Sequence, residues 1–220
     1  MGVTAHPDDH APWPADVHAD GNGVARVATV PGGRPRNAAI DRLVLHVTLS
    51  HLRRHGVRGL SVAAVAADAG TTRAAVYRRW TTKVDLVVAA LGTVPHEDPP
   101  LPTGDPYVDL VAELTAFRWW VDHAGVAALT GAVLSEGVDP RVAEAFRHHV
   151  VEPRRRRFRA RLQAGVAVGE LRAHADFALA EDLLAGSWLA AAGSGETLGE
   201  DWPRRNAEMV WTACGGVPTA

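Results

Sequence analysis

The chain lacks the features of exported, membrane-spanning and disulfide-stabilised proteins. Cys214 is the only cysteine, so an intrachain disulfide is excluded and a reducing compartment is compatible. No run of about eighteen apolar residues occurs, which argues against a membrane-spanning helix. The N-terminal segment has neither the basic start nor the apolar stretch of an export signal. We therefore expect a cytoplasmic protein with no membrane partner.

The sequence also lacks the short motifs that mark common enzyme classes. It contains no HExxH, no paired ExxH, no nucleophile elbow and no phosphate loop ending in Gly-Lys-Ser/Thr. His51 and His55 have a spacing that zinc sites use, but no third ligand lies nearby in the sequence. We therefore expect no catalytic site, no cofactor and no metal site. Three further histidines lie scattered near the N-terminus: His6, His10 and His18.

What the sequence does contain is a series of helical patterns, with no alternating pattern of the kind that strands show. Its 220 residues and 47% hydrophobic content are enough for two domains with real cores. Residues 1–36 are rich in Pro, Gly, Asp and His, and are predicted to be a disordered arm. We expect an all-α protein, with a three-helix helix-turn-helix domain at 37–92, a proline-rich hinge at 93–106 and a helical bundle at 107–216.

The segment from Leu60 to Leu86 has the pattern of a DNA-binding helix-turn-helix. Ser61 is a good N-cap for a first short helix, and Gly70 supplies the turn. Thr72 can cap a second helix through Trp80, with Val76 and Trp80 facing inward. Three side chains are then left on the outer face, which has the chemistry of a major-groove reader: Arg73, Tyr77 and Arg79.

Charge supports this interpretation independently. Residues 26–90 contain eleven Lys/Arg and three Asp/Glu, although the whole chain has a formal charge of −2. The negative charge lies elsewhere, because residues 1–25 carry −4 and residues 91–220 carry −6. A basic domain within a nearly neutral chain is the electrostatic pattern expected where a protein neutralises phosphates.

At these residues the chain resembles the TetR family of bacterial transcriptional regulators. The resemblance covers roughly residues 40–91 without a gap, and it rests on these residues: Gly56, Leu60-Ser61, Val65-Ala66, Ala69-Gly70, Tyr77 and Thr82-Lys83. It implies a homodimeric, nucleoid-associated regulator that reads a palindromic operator on double-stranded DNA, most often as a repressor. It also implies that an all-helical C-terminal domain binds a small-molecule effector and dimerises through residues 176–192 and 201–214.

The resemblance and the chemistry together indicate how DNA would be read. Arg73 is expected to meet a base edge, and Ala74 a thymine methyl. Flexible Arg34 and Arg36 either enter the minor groove or belong to a solvated basic linker. Thr72, Tyr77 and Lys83 are expected to hold phosphates. Ser61 and Arg79 are further DNA-binding candidates.

The C-terminal bundle is well supplied with large aromatic side chains, which are either ordinary core or the lining of a ligand site. Arg155 is placed on the inward stripe of its helix, so that it snorkels or pairs with a carboxylate of the protein or of a ligand. Arg155 or His123 would anchor the ligand, which we expect to be mostly apolar and either neutral or anionic. The alternative to a ligand-responsive repressor is an activator or an architectural DNA-binding protein that has no small-molecule effector. The aromatic candidates are Phe117, Trp119, Trp120, Phe146, Phe158 and Trp188.

Overall fold

A computed structural model describes residues 38–96, 98–123, 125–135 and 137–219, with the side chain of His123 outside this set. The predicted arm, with Arg34 and Arg36, therefore lies outside the described residues. Within the described ranges every regular element is helical, which confirms the all-α prediction. The helices are α1 Ala38–Gly59, α2 Val62–Asp68, α3 Arg73–Tyr77, α4 Lys83–Leu91, α5 Pro106–His123, α6 Val126–Leu134, α7 Pro140–Phe146, α8 Glu152–Ala167, α9 Phe177–Ser194 and α10 Trp202–Ala213, with a π turn at Arg147–Val151.

Helices α1–α4 form the N-terminal domain around a small aliphatic core. Gly56 has φ 66°, a left-handed conformation that glycine adopts without a Cβ clash, and it kinks α1 near the expected end of that helix. On the inner face of α1, His51 is buried and its Nε2 lies 2.7 Å from Asp68 Oδ2 on α2. These helices bury one apolar face each, contributing among others Val44, Leu52, Val65, Val76 and Leu86.

Helices α7 and α8 form one continuous helical path that contains a π turn. At this turn the Glu152 amide donates to the Arg147 carbonyl, five residues back instead of four. The wider turn changes the phase of the following helix, so buried positions continue in steps of four: Val142, Phe146, Val150, Arg154, Phe158 and Leu162. The prediction that Arg155 lies on the inward stripe is therefore wrong, because the inward arginine is Arg154.

The two domains are joined by packing as well as by the chain. Helix α1 packs against α6, and α4 packs against α7. The segment between α4 and α5 is a loop, and contacts with the C-terminal domain, α5–α10, hold it in place: Trp120 Nε1 donates to the Pro95 carbonyl at 2.7 Å, and Arg161 Nη2 to the Pro100 carbonyl at 3.0 Å. None of the helices in the described ranges is long and apolar enough to cross a membrane.

Candidate DNA-binding and effector sites

Both helices of the helix-turn-helix begin at the predicted caps. The Ser61 hydroxyl oxygen accepts a hydrogen bond from the Ala64 amide at 3.3 Å, and the Thr72 hydroxyl oxygen accepts one from the Ala75 amide at 3.1 Å. Each cap satisfies an amide that the first helical turn leaves without a backbone partner. The hydroxyl hydrogens are not used by these bonds, so both side chains can still donate to a phosphate.

Helix α3 has one buried face and one exposed face. Ala75 and Val76 are buried, whereas Trp80, which was predicted to face inward, is half-buried against the core. The Val76 carbonyl accepts hydrogen bonds from the amides of Arg79 and Trp80, so the helical turn continues beyond Tyr77. Arg73 and Ala74 are exposed on the opposite face, as a helix that reads base edges requires.

Tyr77 connects this exposed face to the core. It is half-buried and packs against the aliphatic core, and the Arg73 guanidinium lies 5.3 Å from the centre of its ring. A cation over an aromatic face is weakly attracted to it, which favours one orientation of the arginine side chain. The ring therefore both packs in the domain and supports the residue predicted to read a base.

Arg79 does not lie free on the outer face as predicted. It forms an ion pair with Asp41 of α1, and its Nη1 donates to the Ala75 carbonyl at 3.2 Å. Its side chain is only 26% exposed. The prediction of an outward Arg79 is wrong because a carboxylate 38 positions earlier, which local helical spacing does not reveal, lies beside it.

Lys83 and Arg78 complete the basic surface. The Lys83 ammonium donates to the Arg58 carbonyl at 3.0 Å, which leaves two of its hydrogens for other acceptors. Arg78, which was not among the predicted contacts, is exposed, as is Arg42 of α1. The basic composition of the region pointed to both residues in general terms. Which of Arg78 and Arg79 is exposed, however, depends on the direction in which the last turn of α3 faces.

Asp85 links the N-terminal domain, α1–α4, to the C-terminal domain, α5–α10. Its carboxylate accepts from the Thr82 amide at 2.9 Å while its own amide donates to the Thr82 hydroxyl at 3.1 Å, a capping box at the start of α4. The same carboxylate pairs with Arg141 of α7. Hydrogen bonding to Thr82, and then to Arg141, lowers the pKa of Asp85.

Aromatic rings of the C-terminal domain pack around Phe117. Its ring centre lies 5.5 Å from Phe158, 6.0 Å from Trp188 and 6.2 Å from Trp120. Trp202, which was not predicted, lies 6.3 Å away. The structure thus brings together four of the six aromatic candidates. We define this aromatic cluster as Phe117, Trp120, Phe158, Trp188 and Trp202.

The other two aromatic candidates behave differently. Phe146 is buried on α7. Trp119 is 43% exposed, so the expectation that it lies in the bundle interior is wrong. Trp119 and Trp120 are adjacent on α5, and consecutive positions on a helix point about 100° apart. Only Trp120 could therefore face the same interior as Phe117.

Arg154 is the cation next to the aromatic cluster. It is 4% exposed, and its guanidinium carbon lies 4.8 Å from the centre of the Trp120 ring and 5.5 Å from that of Phe117. Its Nη1 lies 3.0 Å from Oε1 of Glu113, a residue of α5 with no exposed surface. An ion pair in such a site is stable only because each charge has a close partner.

The Glu113 carboxylate is shared among three arginines of α8. Arg157 Nε lies 2.6 Å from Glu113 Oε1, and Arg161 Nη2 lies 4.0 Å from Oε2. Arg161 also approaches Asp109, which is buried, at 3.8 Å. The cluster therefore holds three guanidiniums and two carboxylates between α5 and α8. We call these five residues the buried ion cluster: Asp109, Glu113, Arg154, Arg157 and Arg161.

Arg155 pairs with carboxylates of the protein, one of the outcomes that the sequence left open. Its Nε lies 3.3 Å from Glu181 Oε2, and it also pairs with Asp182. Arg159 holds the same glutamate, with Nε 2.5 Å from Oε1. These bonds connect α8 to the start of α9, where the Asp176 carboxylate accepts from the Leu179 amide at 3.0 Å.

Known proteins resemble the chain in both halves. Residues 44–90 match the family described as bacterial regulatory proteins, tetR family, and residues 100–210 match the tetracyclin repressor-like C-terminal domain. The chain is 30% identical to the DNA-binding transcriptional repressor TetR of Mycobacteroides abscessus over 70% of its own length and 80% of that protein. It is 24% identical to the uncharacterized HTH-type transcriptional regulator YdeS of Bacillus subtilis, over 70% of this chain and 78% of that one.

Solved structures share the fold. A TetR transcriptional regulator from Agrobacterium tumefaciens aligns with a TM-score of 0.64 at 17% identity, over 80% of this chain and 92% of that one. At that identity the likeness concerns the fold alone.

Proposed function

Since the chain belongs to the TetR family of bacterial regulatory proteins, and is a DNA-binding transcriptional regulator and not an enzyme, we propose that it is a dimeric repressor. In this proposal a small, mostly apolar ligand releases it from a palindromic operator. The similar protein of Mycobacteroides abscessus is named a repressor, which supports this direction of regulation. A cytoplasmic location on the nucleoid is part of the same proposal.

The exposed face of α3 carries the proposal for DNA reading. Arg73 is exposed, oriented by Tyr77 and placed next to exposed Ala74, while Val76 fixes the helix to the core. We assign base contacts to Arg73 and Ala74, and phosphate contacts to the hydroxyl, phenol and ammonium groups around them. Arg34 and Arg36 remain candidates for the minor groove. The phosphate-contact candidates are Ser61, Thr72, Tyr77 and Lys83, and the structure adds exposed Arg78.

Selection of bound duplexes from a random DNA library tests this proposal, followed by titration of the selected duplex. Arg73→Ala is expected to cost about 1–3 kcal/mol of binding and to relax the preference at one position. Lys83→Ala is expected to weaken binding to all sequences alike and to reduce its salt dependence. Arg156→Ala, which removes an exposed arginine of α8, is the control. Full affinity and selectivity of Arg73→Ala would refute the assignment.

Exposed apolar side chains on the last two helices support dimerisation through residues 176–192 and 201–214. Leu179, Leu183 and Leu189 of α9 and Met209 of α10 are between 42% and 76% exposed, and such a surface is costly unless a partner covers it. Leu183→Glu should produce a monomer in analytical ultracentrifugation. Leu134→Glu on α6, where the leucine is 67% exposed, is the matched control and should remain dimeric. A wild-type monomer at micromolar concentration would contradict the proposal.

The aromatic cluster beside the buried ion cluster supports the proposed ligand. The aromatic rings suit an apolar body, and the Arg154 guanidinium, which lies over the rings of Trp120 and Phe117, suits an acidic head. In this assignment Arg154 replaces Arg155 as the anchor. Four predicted residues are retained as lining: Phe117, Trp120, Phe158 and Trp188.

Decanoate and decanol are useful probes of this site because they differ only in the head group. Tryptophan fluorescence should respond more strongly to decanoate, and the response should be lost in Trp188→Leu. Decanoate should also release the selected duplex. The affinity for DNA can change by no more than the ligand's preference between the two conformations. If a broad set of apolar acids leaves both fluorescence and DNA affinity unchanged, an activator or architectural protein without an effector becomes the better interpretation.

A further inference from the structure

Pro153 leaves a backbone carbonyl of the π turn without its usual helical donor. In an α-helix the carbonyl of His149 would accept from the amide of residue 153, but proline has no amide hydrogen and its ring crowds that carbonyl. The π turn Arg147–Val151 lies immediately before this position. A carbonyl in this state can accept from another donor, such as water or a nearby side chain.

His96, in the segment between the two domains, supplies that donor. Its Nε2 lies 2.7 Å from the His149 carbonyl oxygen, and since a carbonyl can only accept, Nε2 carries the hydrogen. The His96 ring also stacks on Trp120, with centroids 6.0 Å apart and an angle of 22° between the planes. Trp120 in turn donates to the Pro95 carbonyl. Two consecutive residues of this segment are thus bound to the effector domain.

The same π turn lies close to the end of α4. A side-chain carbon at Gly92, the C-cap of α4, would meet the His149 ring at 3.6 Å. At the other end of α4, Asp85 pairs with Arg141 of α7. Helix α4, which follows α3, therefore pairs with α7 at its start and lies beside the π turn at its end.

We propose that His96 and the π turn beside Pro153 form a latch that fixes the interdomain segment and the end of α4 against the effector domain. A rotation or shift of α8 moves the His149 carbonyl, and the latch passes that movement to α4. The role of the latch in regulation rests on the proposed function, but its protection of the end of α4 in the protein without ligand or DNA does not. Partial desolvation lowers the pKa of His96, the hydrogen bond to the His149 carbonyl opposes this by raising it, and the charges of Arg154, Arg157 and His149 lower it further, so that the net shift is downward.

Hydrogen exchange of the full-length protein tests the latch directly. The Thr93 amide bonds to the Ala90 carbonyl at 2.9 Å and the Val94 amide to the Leu91 carbonyl at 3.2 Å, so both amides report on the end of α4. His96→Ala should speed their exchange about five- to tenfold, the factor expected from losing one hydrogen bond. His96→Gln keeps a donor and should restore much of the protection. His174→Ala, at an exposed histidine, is the control and should change neither amide.

Pro153→Ala tests the origin of the latch in the backbone. The new amide at position 153 competes for the His149 carbonyl, so the exchange of Thr93 and Val94 should rise as in His96→Ala. Combining the two substitutions should add little to either one, since both remove the same bond. Unchanged protection in His96→Ala, or fully additive effects in the double variant, would overturn the proposal.

Titration of the selected duplex separates the latch from the proposed function. The latch variants should change the affinity for that duplex while remaining folded and dimeric. If the wild type selects no duplex, the proposed function fails, whereas the exchange experiment still decides whether the latch exists. If the wild type selects a duplex and the latch variants bind it with unchanged affinity and unchanged exchange, the latch fails and the regulator stands.

Discussion

The two domains treat charged residues in opposite ways. Among the described residues, the DNA-binding domain buries one ionisable side chain, His51, and keeps its arginines exposed or half-buried. The C-terminal domain buries four charged side chains: Asp109, Glu113, Arg154 and Glu181. The difference follows from the partners. Phosphates are met from the surface, so cations of the first domain must stay in water, whereas the charges in the second domain have their partners inside the protein.

The comparison shows where stability depends on charge. Removing one cation from the surface of the DNA-binding domain should affect DNA binding but not folding. Removing one charge from the buried ion cluster takes a close partner from charges in and beside the interior, which costs more than the pair itself contributes.

Glu113→Gln should destabilise the protein by about 3–5 kcal/mol, because Arg154 and Arg157 lose the charge that compensates them. The free energy of unfolding from urea denaturation measures the effect. Glu144→Gln is the matched control, since Glu144 is exposed and pairs with its exposed neighbour Arg147 on the helix surface. If the two variants unfold at similar urea concentrations, the buried ion cluster does not contribute to stability and the contrast between the domains is lost.

Trp188→Leu and Trp119→Leu compare a core ring with a surface ring in the same domain. Trp188 contacts Phe117 and is 8% exposed, so its loss should cost about 2 kcal/mol of unfolding free energy. Trp119→Leu should change stability by less than about 0.5 kcal/mol, as substitutions at the surface usually do. Thermal denaturation of both variants gives the comparison. An equal loss would place Trp119 in the interior after all.

Thr72→Ala should cost about 1 kcal/mol of unfolding free energy, because the Ala75 amide loses its cap. Urea denaturation measures this change, which belongs to the DNA-binding domain alone. Thr115→Ala, at an exposed position of α5 outside the proposed dimer surface, is the control and should leave stability nearly unchanged. A neutral Thr72→Ala would mean that packing of Val76, and not the cap, determines where α3 begins.

The smallest expected effect is a loss of stability in mild acid. Partial desolvation lowers the pKa of both His46 and His96 below the usual 6.5, although both residues keep exposed surface. The unfolded chain therefore takes up protons first as the pH falls. Stability is complete above pH 6.5 and declines as the pH falls through that value towards the lower folded pKa values. Melting temperatures between pH 7.5 and 5 measure the slope, which His96→Gln should reduce. A pH-independent melting temperature in the wild type would contradict it.

The features predicted correctly are those whose causes are local. Ser61, Thr72 and Asp176 cap the helices that follow them because a short side chain reaches an amide two or three residues away. The exposed Arg73 and buried Val76 follow from helical spacing within a single turn. Such interactions involve neighbours in the sequence, so the order of residue types is sufficient to predict them.

The errors have causes that lie further away. Arg79 turns towards Asp41 of another helix, and a single π turn moves Arg154, instead of Arg155, into the core. Trp119 and Trp120 could not be assigned to interior and surface until α5 was oriented against α8. Each error concerns the phase of a helix or the identity of a distant partner.

The all-α class and the helix-turn-helix could be read from the sequence, because helical periodicity, caps and charge segregation depend on the order of residue types. The family followed from its resemblance to residues 40–91. Three features depend on how the helices pack: which arginine is buried, which arginines share Glu113, and the hydrogen bond from His96 to the His149 carbonyl. Those outcomes depend on small rotations of whole helices. A rotation of one residue exchanges a solvated charge for a buried one, and the free energy of that exchange involves every partner that the fold brings near.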